Sequence, residues 1–158
     1  MRVGLGFDVH RLAEGDGVIL GGVSLPSDKK LVGHSDGDAL CHAIIDALLG
    51  AAALGDIGMR FPDTDPKYKG ASSVELLKQV GKEVAEAGYK IVNIDSVVVA
   101  QAPKLSEHRE AIINKISDAL GLGPRQVSVK GKTAEGLGVV GAGEALCAQA
   151  VALVEEVE

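Results

Sequence analysis

Apolar and polar positions alternate loosely at the start of the chain, with Val3, Leu5, Phe7 and Val9 separated by Gly4, Gly6 and Asp8. A period of two predicts a strand over residues 2–10. A second apolar segment, 18–25, is broken at Gly21-Gly22. Ser35 or Asp36 offers a cap for a helix reaching about residue 54, and Ser72 or Ser73 opens another that runs to Ala87 and stops at Gly88. The Val/Ile-rich run 91–100 predicts a strand closed off by Pro103. Residues 106–120 read as a helix ended by Gly121, and 127–130 as a further strand. The last stretch, 144–157, is ambiguous, because its alanines favour helix while its valines and the preceding glycine-rich turn permit a strand. Helices and strands alternate without linker, repeat or low-complexity run, so the expectation is one domain over residues 1–158, of α/β or α+β class.

The predicted helix after residue 35 is unusual. From Ala39 to Leu54 nearly every position is apolar, which marks a buried helix. Yet Ser35, Asp38, His42 and Asp46 recur every three or four residues and form one polar stripe. Leaving such groups unpaired would cost roughly 1–3 kcal/mol each, so something polar or cationic must face them. Asp8 and His10, two apart on a strand, project to one face. Asp8, His10 and His42 together make a carboxylate and two imidazoles, a donor set suited to Zn²⁺ with a fourth position open. Asp46, one turn below His42, is placed to orient that imidazole. The alternative is a satisfied core histidine bonded to Asp46, with no metal.

Composition narrows the partners. Of 158 residues 21 are glycine, about twice the usual share, while aromatics are 3% and tryptophan is absent. No aromatic platform for base stacking exists, and a net charge of −6 without a basic run argues against nucleic acid. Residues 1–10 lack a secretory pattern, and the uncharged apolar stretch 47–55 is far shorter than the ~20 residues of a membrane span. Cys41 and Cys147 lie in apolar segments and read as free thiols of a reducing compartment.

Three further segments carry chemistry. His34 and Ser35 precede a buried helix, where an imidazole and a hydroxyl could grip a phosphate, or where Ser35 or Asp36 simply caps. Gly131-Lys132-Thr133-Ala134-Glu135-Gly136 sets a cation, a hydroxyl and a carboxylate within one glycine-rich turn, suited to phosphate and a hard dication such as Mg²⁺. Phe61-Pro62-Asp63-Thr64-Asp65-Pro66 is a rigid polar turn able to fold over a hydroxylated substrate or to serve as an ordered surface loop.

These blocks occur together in one order. Gly6-Phe7-Asp8-Val9-His10, His34-Ser35-Asp36-Gly37-Asp38, His42 through Asp46, Leu54-Gly55-Asp56-Ile57-Gly58, Phe61 through Asp65, Ala100-Gln101-Ala102-Pro103-Lys104 and Lys132-Thr133-Ala134-Glu135 with Leu137-Gly138 closely resemble the methylerythritol cyclodiphosphate synthase family along essentially the whole length. The resemblance implies an α+β domain with a mixed sheet packed against helices, assembled as a homotrimer with sites between subunits. It implies a strand for the C-terminal segment.

It also implies roles. Asp8, His10 and His42 would hold zinc, and Glu135 would hold Mg²⁺ or Mn²⁺ bridging a diphosphate. His34 and Thr133 would be the catalytic stabilisers of the transferring phosphate, with Ser35 on substrate phosphate. Lys132 and Ala134 belong to the same substrate-binding turn. Asp56, Ile57 and Gly58 would meet the ribose, and Phe61, Pro62, Asp63, Thr64 and Asp65 the methylerythritol end. Ala100, Gln101, Ala102, Pro103, Lys104, Leu105 and Ser106 would form the cytosine pocket, largely through backbone groups. The implied reaction is a phosphorus–oxygen lyase step of non-mevalonate isoprenoid precursor synthesis. It turns a cytidine diphosphate substrate into a cyclic diphosphate and CMP, in a bacterial cytoplasm or a plastid stroma. Some members carry Phe and Arg near the threefold axis, linked to binding of isoprenoid diphosphates. Val139 and Ala142 stand there instead, and no cation is present at 142. Two rivals remain: a zinc hydrolase, against which Glu135 and the 100–106 pocket speak, and a zinc-stabilised binding module, which would need a fourth ligand.

Overall fold

A computed structural model describes residues 1–157. Seven strands and five helices follow in the order β1 (Arg2–Glu14), β2 (Val18–Leu20), β3 (Val23–Leu25), β4 (Lys29–Val32), α1 (Ala39–Ala52), α2 (Ile57–Arg60), α3 (Ser73–Glu86), β5 (Tyr89–Val99), α4 (Arg109–Leu120), β6 (Val127–Lys132), α5 (Gly138–Gly141) and β7 (Ala145–Glu156). Five strands form one mixed sheet, in order β4-β1-β7-β5-β6, in which only β5 and β6 run parallel. The α+β expectation therefore holds, and β7 is a strand at the centre of the sheet, resolving the C-terminal ambiguity.

Helix α1 lies against β1 and β7, with α3 beside it and α4 packed on α3 and β6. Its approach to β1 is unusually close. A Cβ added at Gly6 would lie 1.8 Å from the Ala43 carbonyl oxygen, and one at Gly4 would lie 1.9 Å from that of Ala47. Only glycine admits helix backbone so near to strand backbone. Their cross-strand partners on β7 are Ala150 and Ala152, also small and buried. The alternation over residues 2–10 thus has an inverted meaning. The glycines, Asp8 and His10 face the helix, while Val3, Leu5, Phe7 and Val9 stand on the outer face, Val3 68% and Phe7 56% exposed.

Several boundaries differ from the pattern. Helix α1 begins at Ala39, capped by Asp38 rather than by Ser35 or Asp36. Asp38 is fully buried, and its carboxylate accepts N–H bonds from Gly21 (2.9 Å), Gly22 (2.7 Å) and Cys41 (3.0 Å), tying the β2–β3 turn to the helix. Helix α4 starts at Arg109, three residues after the expected Ser106. Strand β1 continues to Glu14, and β4 and α2 had no pattern long enough to show.

Gly6→Ala should therefore lower stability by about 3 kcal/mol or more, because only backbone stands in the way. Gly50→Ala, whose Cβ would meet nothing within 4 Å, should be neutral or stabilising by up to about 1 kcal/mol. Urea unfolding of the two variants checks the contrast.

Candidate functional site

The close packing of α1 on β1 brings His42 to the end of β1 where Asp8 and His10 face inward. His10 Nδ1 lies 2.9 Å from Asp8 Oδ2, and His42 Nδ1 lies 3.0 Å from the same oxygen. The two imidazole centroids are 5.2 Å apart. One donor atom from each residue falls within 4.8 Å of the others, and this is the one group of three or more potential ligands of that kind among the described residues. His10 Nδ1 is buried and has no partner but Asp8 Oδ2, to which it is poorly aligned for a hydrogen bond. Two imidazole nitrogens converging on one carboxylate oxygen, one of them buried and poorly aligned for a hydrogen bond, suit a divalent cation. A core histidine satisfied by protein bonds alone would be expected to have a well-aligned partner there.

Charge coupling agrees with this. Burial pushes the Asp8 carboxyl up, but hydrogen bonds and positive charge from His10 and His42 together carry it below the ordinary carboxylate range. For His42 burial pushes downward, and the Asp8 hydrogen bond and charge, aided by Asp38 and Asp36, carry it above the ordinary imidazole range.

Asp46 departs from expectation. Both His42 nitrogens are engaged elsewhere, Nδ1 by Asp8 (3.0 Å) and Nε2 by Ser73 Oγ (2.8 Å) and Ser35 Oγ (3.0 Å). Asp46 instead accepts the Ile57 N–H at 2.8 Å and so fastens the start of α2 to α1. Its distance along the helix is right for contact with His42, but the ring has no nitrogen left to offer.

A cleft of about 360 Å³ adjoins the triad, lined by His10, His34, Ser35, His42, Ile57, Gly58, Phe61, Pro62 and Asp63, with Tyr68 and Leu76 unforeseen. His34 Nε2 lies 3.2 Å from the Asp65 carbonyl oxygen and the His34 carbonyl accepts the Gly70 N–H, so this residue pins the 61–70 loop over the cleft. Asp56 caps α2 through the Met59 N–H, and Thr64 is exposed on the loop.

A second cleft, of about 420 Å³, is lined by Ala100, Gln101, Pro103, Lys104, Leu105, Ser106, Gly131, Lys132 and Thr133, with Arg109 added. Gln101 Oε1 faces the Thr133 hydroxyl and the Gly136 N–H, each at 3.3 Å, and Thr133 Oγ1 accepts the Glu135 N–H at 3.1 Å. Glu135 holds a φ of 53°, left-handed and uncommon without glycine. Ala102, Ala134 and Glu135 lie on these same two turns but not in the lining.

The clefts share no residue. Asp8, Ala148, Val98 and Gly131 form one row across β1, β7, β5 and β6. Three strand spacings of about 4.8 Å put the triad and the glycine-rich turn roughly 14 Å apart. Within one chain the two sets of expected site residues are therefore not brought together.

This α+β domain with its His/His/Asp cluster matches known proteins over nearly all of its length. The model of the YgbB family matches residues 1–155, and the chain belongs to that family. A protein of Desulfatibacillum aliphaticivorans, named 2-C-methyl-D-erythritol 2,4-cyclodiphosphate synthase, is 56% identical over 155 residues, covering 98% of this chain and 100% of that one. A relative of the same name from Laribacter hongkongensis is 57% identical, covering 98% and 96%. Among solved structures, a 2C-methyl-D-erythritol-2,4-cyclodiphosphate synthase with CDP bound has a TM-score of 0.89 at 40% identity, covering 98% of this chain and 100% of that one. The bifunctional IspDF of Campylobacter jejuni gives a TM-score of 0.96 at 42% identity, and the chain spans 99% of itself but 42% of that protein.

The triad makes a pH-dependent contribution to the stability of metal-free protein. Asp8, lowered, contributes above its unfolded value of about 4 and loses this as pH falls below it. His42, raised, contributes below about 6.5 and loses this as pH rises past it. The stability gap between chelator-treated wild type and Asp8→Asn should thus be widest at about pH 5.5 and narrower at about pH 3 and pH 8, read from urea midpoints.

Proposed function

We infer that this chain is a 2-C-methyl-D-erythritol 2,4-cyclodiphosphate synthase, a phosphorus–oxygen lyase of isoprenoid precursor synthesis. It closes 4-diphosphocytidyl-2-C-methyl-D-erythritol 2-phosphate into the cyclic diphosphate. The observation that carries the reading is the inward convergence of Asp8, His10 and His42 on one point beside a cleft, in a chain of this family. An oxygen of the 2-phosphate attacks the β-phosphorus, the bond from that phosphorus to the bridging oxygen breaks, and CMP leaves with the electron pair. The nucleophile is already anionic, so no strong general base is required. The barrier lies in charge repulsion and in folding the substrate back on itself.

The donor set at Asp8, His10 and His42 suits zinc, and Glu135 offers the single carboxylate with which Mg²⁺ or Mn²⁺ is commonly held alongside substrate phosphates. When bound, the two dications supply positive charge that neutralises phosphate oxygens and fixes their orientation. The remaining work belongs to side chains. Ser35 donates to substrate phosphate, and His34 and Thr133 steady the transferring phosphoryl group from either side. Asp56, Ile57 and Gly58 receive the ribose, residues 61–65 the methylerythritol end, and residues 100–106 the cytosine. Lys132 and Ala134 complete the phosphate turn. An acidic protein can then turn over an anionic substrate because the charge that matters is local.

The separation of the two clefts supports a homotrimer in which each site joins the triad side of one subunit to the nucleotide side of its neighbour. The outer sheet face, with Val3, Leu5, Phe7, Val9 and Val151 exposed, offers the apolar surface that such association would cover. No helix among the described residues is long and apolar enough to cross a membrane.

Incubation of the protein with this substrate, Zn²⁺ and Mg²⁺, followed by phosphorus NMR, should give CMP together with a cyclic diphosphate. CMP with an open-chain product would identify a hydrolase instead, and no turnover by zinc-loaded protein a binding module. His42→Ala should abolish both zinc content and turnover; wild-type zinc content in that variant would remove the triad from the reading. Phe7→Glu should shift the sedimenting species toward monomer and take turnover with it. A fully active monomer would refute the shared site.

A further inference from the structure

The segment between β4 and α1 and the first residue of α3 meet at His42 through a run of hydrogen bonds that no expected role uses. Ser73 is fully buried. Its backbone N–H donates to Asp36 Oδ2 at 3.0 Å, and its hydroxyl donates to Asp36 Oδ1. Asp36 Oδ1 also accepts the Asp38 N–H at 3.2 Å, which holds the carboxylate in place from a second side. Ser73 Oγ lies 2.8 Å from His42 Nε2, with Ser35 Oγ at 3.0 Å from the same nitrogen.

The direction of every bond in this run follows from the end of it. A carboxylate only accepts, and a hydroxyl has a single hydrogen. With that hydrogen on Asp36, Ser73 Oγ meets His42 with a lone pair, so Nε2 must carry the proton. In a neutral imidazole Nδ1 is then the bare nitrogen, and Nδ1 is the atom aimed at Asp8 Oδ2. Ser35 Oγ accepts a share of the Nε2–H as well, which leaves its own hydrogen for Ser73 Oγ at 3.4 Å or for the cleft that it lines.

We propose that Asp36 and Ser73 are positioning residues that fix His42 as the Nε2–H tautomer, presenting its Nδ1 lone pair to the cation site formed with Asp8 and His10. This rests on the reading of that triad as the zinc site. The arrangement raises the basicity of Nδ1 through Ser73 without placing a second carboxylate against the ring. It also disfavours the neutral tautomer with a bare Nε2, which would face the Ser73 lone pair.

The test uses zinc-loaded protein labelled with ¹⁵N-histidine, and reads zinc retention against a competing chelator together with the His42 Nε2–H signal. Ser73→Ala should weaken zinc binding by roughly 10–100-fold, the usual effect of removing a partner of a ligating histidine, and should speed exchange of the Nε2 proton. Ser73→Thr, which keeps the hydroxyl, should hold zinc within a few-fold of wild type. Asp36→Asn, which keeps the Ser73 hydroxyl but removes the charge, should fall between, so the proposal stays testable if one variant folds poorly. If Ser73→Ala retains zinc like wild type with an unaltered Nε2–H signal, the pair merely ties α3 to the preceding loop and the proposal is refuted. Failure of the triad reading has a different signature, since His42→Ala would then hold as much zinc as wild type.

Discussion

The contact of α1 with β1 at Gly4 and Gly6 is the constraint on which the rest of the molecule depends. Helix backbone touches strand backbone there, with the Ala43 and Ala47 carbonyls occupying the space where side chains would otherwise stand. Without that approach His42, in the same turn of α1 as Ala43, would stand too far from β1 to reach Asp8. The cost is local, because glycine weakens a strand by roughly 0.5–1 kcal/mol relative to alanine. It is offset by a central helix whose apolar side chains, from Leu40 to Leu49, are fully buried. Packing and chemistry are thus set by the same two residues.

Four aspartates around α1 do four different jobs, and their partners decide which. Asp38 is a cap and a tie, its carboxylate spent on three backbone N–H groups. Asp46 fastens α2 through Ile57. Asp36 organises the 34–38 segment and Ser73, and Asp8 alone turns its oxygen toward the histidines. Burial raises the carboxyls of Asp38 and Asp46, whereas at Asp8 the histidines outweigh it. Carboxylates crowded near one helix are tolerable because each has donors of its own.

Much of this was legible in the chain and some was not, for identifiable reasons. The polar stripe on an apolar helix pointed to a site at His42, since stripe geometry depends only on helix period. The stripe could not say which members were structural, because Asp38 and Asp46 satisfy backbone groups of segments far away in sequence. The alanines of β7 misled in a similar way. Ala148, Ala150 and Ala152 look like helix formers, but they are small because α1 lies on them. Strand β4 and helix α2, four residues each, are too short for periodicity to register. Ser73 gave no signal beyond a helix start, as its partners Asp36 and His42 lie more than thirty residues away.

The sheet order itself argues for shared sites. Triad and glycine-rich turn lie on one cross-strand row but on strands separated by β7 and β5. One phosphate cannot touch both across roughly 14 Å of sheet, so under the proposed function a single chain would reach only one end of the substrate at a time. The proposed reaction therefore requires a second copy to supply the other half of each site. The outer sheet face bearing Val3, Leu5, Phe7 and Val9 belongs to β1, whose opposite face carries Asp8 and His10. Covering that face would bring a neighbour to the strand that carries two of the three clustered residues, Asp8 and His10. The alternation of β1 divides its two faces, with Asp8 and His10 inward and Val3, Leu5, Phe7 and Val9 outward, and the glycines between them give α1 its place.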